Sequence, residues 1–337
     1  MEILQKQFRA PDIYGNFWIN SEPVSVSALR GYVALVEFWD YTSQGWIRGV
    51  PYVREWHRRY LDSGLVVIGV HTPRFPFGRD PGAVRKAVDS FGIKYPVVMD
   101  NDFLVWGAYR STVWPTKYLI DKNGFFRYIH GGEGSYQNFE QAIQSLLHEI
   151  GYQADIPPLM DPIRDIDRPG AYCFRATPEI LAGWQRGTIG NVEGFAPEST
   201  IRYADPGVYV EGRIYLDGDW STHRSHIRLS EQEGRSGSLT IRYQGREVNV
   251  VLEPEGERNF QVFVRQDGMH LDASNSGEDI FSDGEGRSFL KVDEARLFRV
   301  VNNREYGEHT LTLTSRSNGL SVYCISFVSC VIPEMIS

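Results

Sequence analysis

Cysteine, basic charge and long apolar runs are scarce in this sequence, and each scarcity excludes a class of protein. The 337 residues include three cysteines, and so sparse and odd a number argues against the disulfide framework of a small secreted domain. No apolar run reaches the roughly 18–20 residues that span a bilayer. Lys and Arg number 35 against 43 Asp and Glu and form no basic stripe, so we expect no nucleic-acid partner.

The start of the chain also lacks the pattern of a secretory signal peptide. The segment MEILQKQFRAPD has no basic stretch followed by an apolar one, which a secretory signal peptide would need. We therefore expect a cytoplasmic protein, or an extracytoplasmic one if the sequence has been trimmed. No GxGxxG or Walker pattern occurs, so we expect no nucleotide cofactor, and no other cofactor is indicated.

The chain is too long for one ordinary core, and its pattern changes partway. Residues 1–152 alternate apolar strand-like runs, such as YVALVEFW and LVVIGVHT, with segments of helical spacing, which predicts an α/β domain with a mixed sheet. Residues 153–172 hold four prolines in ADIPPLMDPIRDIDRPG and are predicted to be a linker. Residues 173–337 alternate short apolar strands with Gly, Asn, Asp and Ser turns, which predicts an all-β sandwich, jelly-roll-like in type.

Several segments of the first domain carry a family likeness. APDIYGNFW, ALRGYVALVEFWDYT, IRGVPYVREW, GVHTPRFPF, WPTKYLID and GEGSYQ resemble the TlpA and redoxin (AhpC/TSA-related) type of thioredoxin-like domain. The likeness is closest to the soluble part of DipZ proteins. ATPEILAGWQRG, NVEGF and NGLSVYCISF are similar to the carbohydrate-binding-like β-sandwich that follows thioredoxin there.

The resemblance implies a register for the thioredoxin active site. The two cysteines of the family's CxxC motif fall on Ser43 and Trp46, within Ser-Gln-Gly-Trp. The family's acidic residue, six positions before the first cysteine, is Glu37, and the proline five after the second is Pro51. The family's cis-proline matches Pro115, between Trp114 and Thr116. The frame is thus present and both catalytic cysteines are absent.

This substitution removes the thiolate on which disulfide exchange depends. Ser43 offers a hydroxyl with no activating base pattern nearby, and we interpret it as a helix N-cap. Trp46 has two interpretations, packing against neighbouring aromatic residues or a recognition surface. Glu37 lies in an apolar strand and is interpreted as a relic or as a hydrogen-bonded structural acid, pushed toward its neutral form.

Binding does not need the cysteines. The resemblance implies that the residue before the cis-proline pairs with a substrate peptide by strand addition, so we predict a groove formed by Trp46, Trp114, Pro115 and Thr116. In the second domain, Trp184 and Trp220 are candidates for stacking on a sugar, with core packing as the alternative.

We expect no metal site. His223 and His226 are three residues apart without a third ligand nearby, and the acidic stretch DASNSGEDIFSDGEG fails the EF-hand spacing. His71, at the end of a strand, is interpreted as a packed or hydrogen-bonded histidine. Cys324 and Cys330 are too far apart on one strand to bridge and are predicted to be buried apolar residues.

The functional prediction is a redox-inactive, two-domain thioredoxin-like protein. It would bind a protein or peptide, or a glycan, through the former active-site groove, the β-sandwich or both. The alternative is a redoxin-class thiol-disulfide oxidoreductase that uses a displaced thiol such as Cys173. A third alternative is a purely structural or scaffolding pair of domains, and the oligomeric state is left open.

Overall fold

The structure is a computed structural model and describes residues 8–152, 156–230, 235–256 and 259–331. The chain divides into two compact units, Met1–Asp167 and Arg168–Ser337. The division falls inside the predicted linker, whose residues 153–155 lie outside the described residues. The predicted boundaries at 152 and 173 themselves stay predictions. Within the described ranges, no helix is both long and apolar enough to cross a membrane.

The first unit is a six-stranded sheet with helices. Its helices are α1 (Gln44–Tyr60), α2 (Pro81–Ser90), α3 (Leu104–Tyr109) and α4 (Tyr136–Glu149). Its strands are β1 (Trp18–Ile19), β2 (Val33–Trp39), β3 (Leu65–His71), β4 (Val97–Met99), β5 (Thr116–Ile120) and β6 (Phe126–Gly131). Short 3-10 helices cover Val26–Leu29, Leu61–Ser63, Pro76–Arg79 and Asp165–Asp167.

The strands are ordered β1-β4-β3-β2-β5-β6. Strand β2 is central, parallel to β3 and antiparallel to β5, and all seven of its residues are buried. Continuous burial explains why every residue of its sequence except Glu37 is apolar, because a central strand of a covered sheet has no solvent face. Apolar clusters lie on both faces of the sheet. The unit is the α/β thioredoxin-like fold that the sequence predicts.

The first turn of helix α1 carries the segment that the family resemblance aligns with the CxxC motif. The helix begins after Ser43, which has extended backbone angles and caps the helix with its side chain. Its buried residues recur at helical spacing, with Val50, Val53 and Trp56 fully covered. This apolar stripe holds the helix on the sheet and fixes its first turn at the carboxyl end of β2.

Residues 156–167 of the predicted linker belong to the first unit. The Met160 amide donates to Glu140 Oε2 at 2.9 Å, the Ile163 amide donates to the Tyr52 hydroxyl oxygen at 2.8 Å, and Arg164 pairs with Glu133 at 2.6 Å. Proline supplies no amide donor, and the segment instead uses its other amides to bind side chains of α1 and α4.

The second unit is built from strands. They are β7 (Tyr172–Cys173), β8 (Ile180–Leu181), β9 (Thr200–Tyr203), β10 (Ile214–Thr222), β11 (Ile227–Leu229), β12 (Gly237–Pro254), β13 (Phe260–Gln266), β14 (Met269–His270), β15 (Ile280–Ser282), β16 (Ser288–Val292), β17 (Arg296–Ser315), β18 (Leu320–Val328) and β19 (Cys330–Val331).

Two long strands join the layers of this β-sandwich. The N-terminal half of β12 pairs with β10 and the C-terminal half pairs with β18, while β17 follows β12 along nearly its whole length. Register shifts near Gly245 and Val248 mark the change, as β-bulges do where a strand bends. Alternate side chains, such as Leu239, Ile241 and Tyr243, enter one apolar core. The sandwich predicted from the strand pattern is confirmed.

Candidate functional site

Ser43, which the family resemblance aligns with the attacking cysteine, is used as a helix cap. Its Oγ accepts from the Trp46 amide at 3.5 Å and donates to the Trp114 carbonyl at 3.3 Å. The residue is 3% exposed. The N-cap interpretation is confirmed, and the hydroxyl is engaged by backbone groups on both sides.

Trp46, which the same resemblance aligns with the second cysteine, is fully buried. Its indole stacks on Trp39 at a centroid distance of 4.3 Å and meets the edge of Phe91 at 4.9 Å. Its Nε1 donates to Glu37 Oε2 at 3.2 Å. The prediction that Trp46 lines a binding groove is wrong, because the ring has no exposed face. The packing interpretation is confirmed.

Glu37 is the buried acid beneath the loop. Burial raises its pKa to about 7, and the nearby Lys117 and the Trp46 hydrogen bond lower it only in part. Lys117 Nζ lies 3.8 Å from Glu37 Oε1, and burial lowers the Lys117 pKa. Glu37 is therefore a hydrogen-bonded structural acid displaced toward its neutral form, as predicted.

Lys117 was not predicted as part of this cluster. It stands directly opposite Glu37 in the β2–β5 register and is the one charged residue of the strand TKYLI. A lone charge in an apolar strand needs a partner, so the sequence of β5 indicated that Lys117 pairs with a polar or charged group. The pairing of β2 with β5 was needed to name the partner.

The cis-proline loop lies next to the first turn of α1. The Trp114–Pro115 peptide bond is cis, as the resemblance predicts. A Cβ on Gly45 would lie 3.5 Å from Pro115 Cδ. Thr116 is 4% exposed and its hydroxyl donates to the Val113 carbonyl at 2.7 Å. Neither Pro115 nor Thr116, both buried, offers much side-chain surface to a ligand.

Trp114 remains at the surface of this loop. Its Nε1 donates to the Thr72 carbonyl at 2.9 Å, and its ring stacks on Trp106 at 4.2 Å. Both indoles are half-buried and Val113 is 43% exposed. We call Trp106, Val113 and Trp114 the cis-proline surface. Trp106, on α3, was missed because nothing in its spacing ties it to the proline loop.

His71 is packed, as predicted. It is fully buried between the rings of Trp39 and Tyr41. Burial lowers its pKa to about 4, against the raising effect of Asp40 at 3.7 Å. The imidazole is therefore neutral near pH 7.

The sugar-stacking candidates of the second unit differ in exposure. Trp220 is fully buried in the core, so the prediction that it stacks on a ligand is wrong and its packing alternative is confirmed. Trp184 is half-buried and donates to Glu198 at 2.9 Å. Its role in sugar binding stays a prediction.

The two histidines predicted to lack a third ligand lie side by side. The rings of His223 and His226 stack at 4.5 Å. His223 lies 3.0 Å from Glu198 Oε2 and 3.1 Å from Ser221 Oγ, and His226 lies 3.2 Å from Glu255. No group of three or more His, Cys, Asp or Glu side chains suited to a metal ion occurs in the described part of the chain.

Not all of the cysteines are buried apolar residues. Cys173 and Cys330 form a disulfide between directly opposed positions of β7 and β19, so the prediction for Cys330 is wrong. The two residues are 157 positions apart, and only the pairing of the terminal strands brings them together. Cys324 is buried and free of a disulfide, as predicted. Cys173 in this state is no free thiol.

Comparisons with known proteins match both units to known families. Residues 6–129 match the model of the AhpC/TSA family, and residues 177–327 match the thioredoxin-like C-terminal domain. Protein DipZ of Mycobacterium bovis is 32% identical over 262 residues, covering 73% of this chain and 35% of DipZ. The thiol-disulfide oxidoreductase ResA of Geobacillus kaustophilus is 29% identical over 121 residues, covering 36% of this chain and 67% of ResA.

The chain is a redoxin-type, thioredoxin-like protein related to DipZ. It spans about a third of the length of the DipZ relatives that it matches. Among solved structures, a thiol-disulfide isomerase from Corynebacterium glutamicum is 29% identical with a TM-score of 0.37, covering 41% of this chain and 96% of that one. A thioredoxin-like protein in its oxidized form is 28% identical with a TM-score of 0.40, covering 42% and 97%.

Proposed function

We propose that this redoxin-type protein does not exchange disulfides at its thioredoxin site and instead binds an extended peptide segment of a partner protein at the cis-proline surface. The observation that carries the proposal is the environment of the two residues that align with the family's cysteines. Ser43 is a helix cap bound to backbone groups, and Trp46 is sealed in the core. Neither can supply the thiolate that attacks a disulfide.

The acid of the site supports the same proposal. A carboxyl group with a pKa near 7 can take or give a proton at neutral pH, but Glu37 receives its hydrogen bond from the Trp46 indole. An indole N–H is a donor with no thiol chemistry. Glu37 thus stabilises the buried tryptophan where it would otherwise serve a cysteine.

The binding half of the proposal depends on Trp114. Its ring lies at the surface beside an exposed valine and is fixed in place by a hydrogen bond and by stacking on Trp106. Rigid, half-exposed aromatic side chains are typical anchors of binding interfaces because they bring contact area at low entropic cost. An extended peptide can add its backbone to the loop that carries such an anchor.

The test is a peptide selection on the full chain. A random decapeptide library is selected on the wild type, and enriched peptides are synthesised and titrated by fluorescence anisotropy. We expect Trp114→Ala to weaken binding at least about tenfold, or about 1.4 kcal/mol. Tyr32→Ala is the matched control, because Tyr32 is an exposed aromatic residue that directly precedes β2, at the opposite end from the loop. Enriched peptides that bind Trp114→Ala as tightly as the wild type would refute the site.

The oxidoreductase alternative has its own readout. Reduction of insulin by dithiothreitol is compared for the wild type and Cys173→Ser. Turnover above background that disappears in Cys173→Ser would favour a displaced thiol and overturn the redox-inactive half of the proposal. We expect both proteins to match the background rate.

A further inference from the structure

We propose that the first unit carries a second binding site, a groove along the outer face of α1 that takes an amphiphilic carboxylate, an apolar chain ending in one carboxylate group. The groove has a volume of about 910 Å³, which is within the range of small-molecule sites. No residue of the cis-proline surface lines it. The inference therefore goes beyond the proposed peptide site and does not rest on it.

One wall of the groove is the outer face of α1. Pro51, Arg54, Glu55 and Arg58 line the groove and have the i, i+3, i+4 and i+7 spacing of one helix face. The opposite face of the helix is the apolar stripe that packs on the sheet. The wall is therefore a fixed element of the fold, and its outward side chains are mostly charged.

The second wall is formed by residues 158–163. The Pro158 carbonyl accepts from Arg59 Nη2 at 2.5 Å, and the amides of Met160 and Ile163 donate to side chains of α4 and α1. These contacts hold the segment at both of its ends and in its middle. The groove is thus largely pre-formed, which lowers the entropic cost of binding a ligand.

Aliphatic side chains line the groove and remain partly uncovered. They are Leu61, Leu159, Met160 and Ile163. Leu61 is 53% exposed and Ile163 is 46% exposed. Single exposed apolar residues are common, but these four share one concave site, where a ligand would remove them from water. No tryptophan or phenylalanine is among the described lining residues, so the lining suits an aliphatic chain better than a flat ring.

Basic side chains outnumber acidic ones in the lining. The two carboxylates and four cations are Glu55, Asp161, Arg54, Arg58, Arg59 and Lys94. Arg58 donates twice to Glu55, at 2.6 Å and 2.9 Å, and Arg59 pairs with Glu140 at 2.8 Å. The charges of these two arginines are therefore already compensated by carboxylates of the protein.

Arg54 and Lys94 are the cations available to a ligand. Both are exposed, and neither has an ion-pair partner among the residues that the structure describes. Gly92 has a φ of +62°, and a Cβ there would lie 3.2 Å from Arg54 Nη2. The missing side chain lets the guanidinium lie close to the loop that carries Lys94. Two such cations less the carboxylate of Asp161 leave one positive charge, which matches one carboxylate on the ligand.

Two buried polar atoms beside the groove lack partners. Tyr95 lines the groove and is fully buried, and its hydroxyl has no hydrogen-bond partner among the described residues. The same holds for Nδ1 of His57, whose ring meets that of Tyr95 edge to face at 5.7 Å. A buried polar group without a partner is costly. A ligand oxygen, or a water held beside it, would satisfy these atoms.

The experiment titrates the full chain with decanoate by isothermal calorimetry, below the concentration at which micelles form and after a lipophilic resin has removed bound lipid. Acetate, which lacks the chain, and decyltrimethylammonium, which carries the opposite charge, are the comparisons. N-acetyl-trileucine tests a peptide carboxyl terminus as the occupant. We expect decanoate to bind once per chain and more tightly than all three, with an affinity that falls as salt screens Arg54 and Lys94.

A double variant tests the charged part of the site. We expect Arg54→Gln with Lys94→Gln to weaken decanoate binding at least about tenfold, because charge-assisted hydrogen bonds are among the stronger ones. The matched control is Arg85→Gln with Lys86→Gln. It removes the same two kinds of charge from exposed positions of α2, which do not line the groove, and should leave the affinity unchanged.

A second double variant tests the apolar part. We expect Leu61→Ser with Ile163→Ser to weaken decanoate binding several-fold, because the chain loses two exposed aliphatic contacts. The matched control is Leu104→Ser with Ile129→Ser, since both residues are exposed in the first unit and neither lines the groove. Circular dichroism checks that every variant is folded, which is expected because all of the changed positions are exposed.

The outcomes separate the possibilities. Selective decanoate binding that both groove variants reduce, and that both controls leave unchanged, supports the site. No binding of decanoate overturns it, as does equal or tighter binding of acetate, decyltrimethylammonium or N-acetyl-trileucine. A loss confined to one groove variant, or an equal loss in its control, also overturns it, because binding would then be a simple ionic or a non-specific apolar contact. The peptide selection at Trp114 uses other residues and probes, so either proposal can fail without the other.

Discussion

Glu37→Gln should make the first unit less sensitive to pH. Glu37 is completely buried, and its pKa is raised from 4.5 to about 7, mainly by burial. The folded state therefore holds the proton more tightly than the unfolded state does. The stabilisation is fully present below pH 4.5 and is lost as the pH rises through about 7, where folding requires a buried carboxylate.

The magnitude follows from the size of the shift. A displacement of about 2.5 pKa units at about 1.36 kcal/mol per unit corresponds to roughly 3 kcal/mol. The wild type should lose about that much of its free energy of unfolding between pH 4.5 and 8. Glutamine keeps the shape of the side chain and cannot ionise, so this part of the pH dependence should disappear in the variant.

Lys117 must be controlled, because its amine lies 3.8 Å from Glu37 and its own pKa is lowered by burial. Losing Glu37 removes a favourable neighbour of the ammonium form and lowers that pKa further. The double variant Glu37→Gln with Lys117→Met removes both groups and should show the flattest profile. Glu22→Gln, at an exposed position, should leave the wild-type profile unchanged.

The assay is urea unfolding of the full chain between pH 4.5 and 8, followed by tryptophan fluorescence. Six of the eight tryptophans lie in the first unit, and native-state hydrogen exchange of the β2 amides assigns the transition to it. If the wild type and Glu37→Gln change in parallel across this range, Glu37 does not titrate near 7 and the account of the buried acid is refuted.

Three further predictions concern the cysteine positions and the disulfide. The wild type should reduce insulin no faster than dithiothreitol alone, since the thioredoxin site has no thiol, and turnover near that of a CxxC protein would contradict this. Ser43→Cys with Trp46→Cys should form a disulfide under mild oxidation and gain weak reductase activity, because the pair would lie at the start of α1 where helix N–H groups stabilise a thiolate. Removing the buried indole should lower the free energy of unfolding by about 3–5 kcal/mol, so circular dichroism must first show that the variant is folded. A folded variant that forms no disulfide between residues 43 and 46 would rule out thioredoxin geometry. Cys330→Ser should lower the free energy of unfolding of the second unit by about 2–5 kcal/mol, because it releases a loop of 157 residues. Calorimetry measures the loss, with Cys324→Ala as the matched thiol control. Equal losses in both variants would contradict a stabilising disulfide.

Sequence information was enough to predict the secondary-structure elements and much of the alignment with the thioredoxin active site. The apolar run of β2, the cap at Ser43 and the strand alternation of the second unit are properties of neighbours in sequence, where helix and strand periods and capping preferences act. The positions of Glu37 and Pro115 followed from the family likeness, because fixed spacings carry over when a fold is kept.

Side-chain environment was harder to predict than position. Trp46 and Trp220 were both considered for binding, and both are buried. Tryptophan occurs both in cores and at interfaces, so its exposure depends on what the rest of the fold places over it. Lys117 was passed over for the same reason, since its partner is on a strand 80 residues earlier.

The sequence by itself determined that the protein has an α/β unit followed by a β unit and that its thioredoxin site lacks both cysteines, because element type and residue identity are local facts. Only the tertiary structure decided that Cys173 meets Cys330, that Trp106 joins Trp114, and that Glu37 faces Lys117 across two strands. Each of these depends on strand order and on the packing of distant segments, and no spacing along the chain specifies which strand ends up beside which.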